Sequence, residues 1–203
     1  MGFYDRYIFP HVLDLAMRGM NPLRADVLAP ASGEVLEIGF GTGLNLAYYP
    51  ATVRRLHALD PMDALQKRVA ERIAAASFPV ERHQLRADGQ LPFDAARFDC
   101  VAVTWTLCSI SDPLAALREM RRVLKPGAPL LFIEHGRSDD PKVARFQDRW
   151  NPIQNAIAGG CNVNRKIDAL IREGGFAFEK LERYKAPGPR FLTDMYRGIA
   201  RRG

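Results

Sequence analysis

Cysteine is scarce in this chain: Cys100, Cys108 and Cys161 are the only three in 203 residues, and no two of them form a C-x-x-C pair. That spacing argues against a disulfide framework or a structural zinc site, so no metal is expected and a reducing, cytoplasmic setting is. Long apolar runs are missing too. No segment approaches the roughly 18 consecutive apolar residues of a membrane span, and the start MGFYDRYIFPHVLDLAMRG lacks the basic end and uninterrupted apolar core of a signal peptide. Without an internal repeat or low-complexity linker, residues 1–203 are expected to form a single domain, long enough to bury about 70% of its unfolded surface. Charge of one sign is only mildly in excess. The net +6 is scattered through helical stretches and Arg197, Arg201 and Arg202, so nucleic acid is not the expected partner.

What the chain does have is alternation. Strand-like segments near 34–38, 54–59, 80–86, 98–104, 128–134, 176–183 and 194–201 are separated from residue 34 onward by helix-forming stretches, the pattern of a parallel sheet covered on both faces. The expected class is α/β, a Rossmann-like three-layer sandwich. Helices are predicted at 62–76; at 113–124, where Pro113 follows Ser111 and Asp112 as capping residues and Gly127 closes the segment; and at 165–173, between Asn164 as a cap and Gly174 as a stop. Ahead of the sheet, residues 3–29 predict two short helices that divide near Asn21 and Pro22, with Pro10 tolerated where it opens or kinks a helix. Residues 1–30 are thus expected to form an N-terminal helical cap. Its apolar stripe of Phe3, Tyr7, Ile8, Val12 and Leu15 suits packing over the sheet, a lid, or peripheral contact with a membrane surface.

The most informative stretch is EIGFGTG at 37–43, entered from the aliphatic run 35–38. Glycines at 39, 41 and 43 permit positive φ and close approach of a ligand. The third comes one residue too early for the G-x-G-x-x-G turn of a dinucleotide site, and Glu37 just before the turn would repel a pyrophosphate while attracting a cation. A ligand carrying ammonium and sulfonium groups, S-adenosylmethionine, fits that charge. Asp60, about 20 residues beyond the glycines at the next strand end, is placed to hold ribose hydroxyls.

Because ligands of such sheets gather beyond the carboxyl ends of the strands, the residues following each predicted strand are the candidates. For the cofactor these are Glu37, Gly39, Phe40, Gly41, Gly43, Asn45, Asp60, Pro61, Met62, Asp88, Gly89, Thr104 and Leu107. Asp88 would accept from the adenine amino group, or with Gly89 form a simple turn; Met62 and Leu107 would sandwich the ring. Trp105, Phe146 and Trp150 would wall an acceptor pocket. Methyl transfer from a sulfonium is an in-line displacement driven largely by alignment, and His135 is the candidate base for a thiol acceptor, or else a loop-bonded or Glu134-bonded histidine. Cys108 has no evident base partner in sequence and reads as a small buried apolar side chain.

EIGFGTG with LDP at 59–61 resembles the class I S-adenosylmethionine-dependent methyltransferases, which implies a seven-stranded sheet with the last strand antiparallel, and S-adenosylhomocysteine as product. GTGLNLAYYP at 41–50, TLCSI at 106–110, RRVLKPG at 121–127, Glu134 with His135, and RFQDRWNPIQ followed by GGCNVNR are similar, more narrowly, to the methyltransferase-like alkyl-thiol methyltransferases of animals and their bacterial relatives. That similarity implies a small lipophilic acceptor, a thiol by preference. The chain departs from the pattern at Phe40, where cysteine is common, and at Gly136, where valine is; the hydrophobic anchor of the animal proteins is not expected in it. The competing readings are a phospholipid or small-molecule amine N-methyltransferase of the same fold, a non-catalytic adenosyl-cofactor sensor, and an NAD-dependent reductase. Base methylation is disfavoured, since no Asn/Asp-Pro-Pro-aromatic motif follows the fourth strand.

Overall fold

Strands β4 (Cys100–Thr104) and β5 (Pro129–His135) are nearly continuous apolar runs, as strands buried on both faces must be. They sit at the centre of the computed structural model, which describes residues 9–62 and 65–202. With β1 (Gly33–Ile38), β2 (Val53–Leu59), β3 (Val80–His83), β6 (Phe176–Lys185) and β7 (Asp194–Arg202) they form one seven-stranded sheet in the order β3-β2-β1-β4-β5-β7-β6. The pairs from β3 to β5 are parallel, and β7 runs antiparallel to both β5 and β6. This is the expected fold class, with β3 ending three residues short of its predicted extent.

Side chains alternate across a strand, and here the alternation builds two cores. Leu36, Ile38, Val101, Val103, Leu130 and Phe132 face one way, against Ala116, Leu117, Met120 and Val123 of the helix Pro113–Val123 and Ile167 and Ile171 of the helix Ile167–Glu173. Val35, Cys100, Ala102, Leu131 and Ile133 face the other way, against Val27 and Leu28 of Asn21–Leu28 and Val69 of Gln66–Ala74. In chain order the helices are α1 (Phe9–Met17), α2 (Asn21–Leu28), α3 (Gln66–Ala74), α4 (Pro113–Val123), α5 (Pro141–Ile157) and α6 (Ile167–Glu173).

Local chemistry explains the element ends. Asp112 caps α4 by accepting from the Ala115 N–H at 2.9 Å. Ser111 does not cap; its hydroxyl donates to Asp88. Asn164 does not cap α6 either: its side-chain NH2 donates to Asp148, and that helix opens at Lys166 without a side-chain cap. Helix α5 was not anticipated in sequence, since Pro152 lies inside it; its start nonetheless carries a capping Asp140 followed by Pro141. Of the N-terminal apolar stripe, Phe3, Tyr7 and Ile8 lie outside the described residues, and Val12 and Leu15 are exposed on α1.

Strand order reverses between β1 and β4, and the carboxyl ends of β1, β2, β4 and β5 all point to one edge of the sheet. A crevice at that switch point is where open α/β sheets take their ligands.

Candidate active site

A cleft of about 470 Å³ opens there, within the roughly 300–1,000 Å³ of small-molecule sites. Its floor is the glycine turn after β1. Gly39, Gly41 and Gly43 adopt φ of +78°, +56° and +78°, a region in which a Cβ is penalised. The positions differ in their surroundings. A Cβ on Gly39 would lie 2.0 Å from the Thr106 hydroxyl, whereas one on Gly41 would meet nothing within 4 Å. Gly39 thus lets the loop after β4 close down, and Gly41 presents a bare backbone to the cleft.

Two carboxylates hold the turn. Glu37, almost wholly buried, accepts from the Asn45 amide and the Tyr49 hydroxyl, both at 2.9 Å. Burial pushes its pKa up to about 7, against the pull of those hydrogen bonds and of the Arg24 charge. Asp60 at the end of β2 accepts from the backbone N–H of Gly41 and of Met62, each at 2.8 Å, and burial raises its pKa as well. Asp88 lines the cleft from the loop after β3, with its carboxylate engaged by Arg86 and by Ser111. The Arg86 contact brings its pKa down to about 2.

The N-terminal helices reach over the same cleft. Asp14 of α1 accepts from the Thr42 hydroxyl at 2.6 Å and from Arg72 of α3 at 2.8 Å, which fastens α1 to the glycine turn. Burial alone would raise its pKa, but these partners hold it below the usual carboxylate range. Arg24 of α2 is buried, donates to Asn45 Oδ1, and lies 4.7 Å from the centre of the Trp105 ring. Its Nε is buried without a hydrogen-bond partner, and the residue lines the cleft. Trp105 itself has φ of +49°, rare for a bulky residue and the kind of strain found at functional sites.

At the far end, three segments converge. Cys108 on the loop after β4, His135 at the end of β5 and Cys161 between α5 and α6 all line the cleft. His135 Nε2 lies 2.9 Å from Cys161 Sγ. The hydrogen bond from Cys161 lowers the Cys108 pKa and raises that of Cys161; burial would depress His135, but the Cys108 sulfur raises it. The loop bearing Cys108 is clamped from below by Glu134, whose Oε1 accepts from the N–H groups of Thr106 and Leu107. Asn162 reaches the Cys108 carbonyl through both its backbone N–H and its side chain at 2.9 Å, and Arg165 donates to the carbonyls of Leu107 and Ile110.

Of the residues singled out in sequence, Glu37, Gly39, Phe40, Gly41, Asn45, Asp60, Pro61, Met62, Asp88, Thr104, Trp105 and His135 line this cleft. The ring of Phe40 packs into the core beneath. Gly43 opens instead on a smaller neighbouring hollow, and Gly89 is exposed outside the cleft. Leu107 requires a correction: its side chain is fully buried in the sheet core, and Ile110 of the same loop lines the cleft. Phe146 and Trp150 require correction too: they lie outside the cleft, stacked on each other, with Phe191 tilted against Phe146 and edge-on to Trp150. The end of that helix, Gln154 and Ala158, reaches the cleft in their place. The sequence reading missed Asp14, Met17, Arg24 and the pairing of Cys108 with Cys161, whereas Ser109, in the stretch after the fourth strand, does line the cleft.

The family described as "Methyltransferase domain" matches residues 36–132, from β1 into β5. Human thiol S-methyltransferase TMT1B is 32% identical over 172 residues, which cover 79% of this chain and 67% of that protein. Human thiol S-methyltransferase TMT1A is 30% identical over 156 residues, 75% and 64% respectively, so the chain spans about two thirds of the length of these relatives. Among solved structures, N-methyltransferase NodS from Bradyrhizobium japonicum WM9 in complex with S-adenosyl-L-homocysteine shares the fold with a TM-score of 0.68 at 17% identity, over 98% of this chain and 89% of that one. The cleft fits the same cofactor: a bare glycine turn, acids at the ends of β1 and β2, and a buried guanidinium with a donor to spare. The chain belongs to the class I S-adenosylmethionine-dependent methyltransferases, and S-adenosylmethionine is its cofactor.

Proposed function

We propose that this methyltransferase transfers its methyl group to small lipophilic thiols. The observation that carries the reading is the Cys108, His135 and Cys161 group, which lines one part of the cleft with sulfur and imidazole; similarity to the human thiol S-methyltransferases supports it. In this reading Glu37 attracts the cofactor's ammonium, Asp60 its ribose hydroxyls and Asp88 its adenine amino group, while Arg24 takes the carboxylate with the Nε–H that is otherwise unpartnered. When bound, the cofactor supplies an activated methyl group. The protein aligns the two reactants, and the buried walls exclude water from the point of attack.

Helices α1 and α2 act as a cap over the cofactor, a role supported by the Asp14 contacts to Thr42 and Arg72. No helix among the described residues is long and apolar enough to cross a membrane. The exposed Phe146, Ile153 and Ile157 on α5, with Val12 and Leu15 on α1, suit peripheral contact with a lipid surface; co-flotation with vesicles that is lost on Ile153→Asp tests that contact.

The deciding experiment is labelled-methyl transfer across alkyl thiols, amines, phenols and phosphatidylethanolamine. Labelled thioether is expected. Product from amines or phosphatidylethanolamine alone would replace the thiol reading with the N-methyltransferase one, and cofactor binding with no turnover would favour a sensor.

A further inference from the structure

We propose that Cys108, His135 and Cys161 form a binding site for a soft divalent metal of the zinc type, with its open coordination position turned to the acceptor cleft. The Sγ atoms of Cys108 and Cys161 and a ring nitrogen of His135 all lie within 4.8 Å of one another. Ligands of a tetrahedral zinc centre, about 2.3 Å from the metal for sulfur and about 2.0–2.1 Å for nitrogen, stand roughly 3.5–3.8 Å apart. A small opening of the 2.9 Å contact between His135 Nε2 and Cys161 Sγ accommodates that spacing.

The donor set is selective. Two thiolates and an imidazole suit zinc, whereas calcium and magnesium take oxygen. Three protein ligands with a free fourth position is the arrangement of catalytic rather than structural zinc, and since all three side chains line the cleft, the free position opens into it. The site is also supported from outside. Glu134, Asn162 and Arg165 fix the backbone on either side of Cys108, and Asn162 adjoins Cys161 itself. Outer partners of this kind orient metal ligands. None of this is written in local sequence: His135 and Cys161 are 26 residues apart, so no short ligand motif exists to be read.

The metal site stands on these three side chains, and its use rests on the thiol reading above. A thiol entering the free position is deprotonated by the metal, its proton passing to bulk water, and remains as a bound thiolate at neutral pH. His135 then serves as a ligand and not as the base.

The test uses the full chain, reduced with a phosphine and titrated with Co²⁺ as a spectroscopic substitute for zinc. Thiolate-to-cobalt charge-transfer absorption and the intense visible bands of a tetrahedral site are expected at a single equivalent. Cys108→Ser and Cys161→Ser should each weaken binding by more than the roughly 10–100-fold that loss of an outer-shell partner costs. S-adenosylhomocysteine binding by each variant confirms that it is folded, and if one variant fails this control the other carries the test. Adding 1-hexanethiol, but not hexylamine, should shift the visible bands. Absence of the cobalt spectrum, or binding unaffected by both replacements, overturns the metal site. Thiol methylation undiminished in metal-free protein overturns the metal's role while leaving the thiol acceptor standing. Cobalt binding without thiol methylation, and without a spectral response to 1-hexanethiol, overturns both the proposed use and the thiol reading.

Discussion

The carboxylate of Asp60 ties the end of β2 to the glycine turn after β1: its Oδ2 accepts the backbone N–H of Gly41 at 2.8 Å. One acid therefore shapes the floor of the cleft and, in the proposed reading, offers its remaining lone pairs to the ligand. Hydrogen bonds to a charged group contribute about 1.5–3 kcal/mol, so Asp60→Ala is expected to weaken S-adenosylhomocysteine binding by about 10- to 100-fold in calorimetry. Unchanged affinity would remove Asp60 from the cofactor site.

In the proposed reading Glu37 makes cofactor binding depend on pH. With its pKa raised from 4.5 to about 7, the folded protein holds a proton that the unfolded chain has released. Its contribution to stability is therefore complete below about pH 4.5 and is lost as pH rises through about 7. The ligand's ammonium favours the ionised form, so affinity for S-adenosylhomocysteine should rise from pH 6 to pH 8, with a slope of at most about tenfold per pH unit for one proton released. Glu37→Gln should flatten the profile. A slope that persists in that variant would assign the titration elsewhere.

The glycines of the turn differ in what they tolerate. Gly39→Ala meets both the left-handed backbone and the Thr106 side chain, and a loss of about 3 kcal/mol or more is expected in denaturant unfolding. Gly41→Ala meets only the backbone penalty of about 1–2 kcal/mol. The order Gly39 worse than Gly41 is the checkable result, and the reverse order would mean that the loop after β4 does not close as described.

In the proposed reading Arg24 holds only the carboxylate end of the cofactor. Arg24→Met is expected to weaken S-adenosylhomocysteine binding by about tenfold or more while sparing 5′-methylthioadenosine, which lacks the carboxylate. Equal loss for both ligands would make Arg24 a support for Asn45 and Trp105 instead.

Much of the fold was legible because its determinants are local. The apolar runs of β1, β4 and β5, the glycines at 39, 41 and 43, and the acid closing β2 each carry their meaning within a few residues. Side-chain direction was harder to read. In the TLCSI loop nothing local tells that Leu107 turns inward and Ile110 outward, and Pro152 hid the helix whose phase sends Phe146 and Trp150 toward Phe191. Least legible was the meeting of Cys108, His135 and Cys161, since it depends on three loops being closed at once by Glu134, Asn162 and Arg165. Arg24 was equally hidden, because only the packing of α2 against the turn makes it part of the cleft.

The most direct test of the acceptor assignment is a competition in a single tube: 1-hexanethiol and hexylamine at equal concentration, S-adenosylmethionine as donor, and products separated by mass spectrometry. Methyl hexyl sulfide in large excess is the expected result. N-methylhexylamine as the main product, or neither product alongside intact cofactor binding, would contradict it.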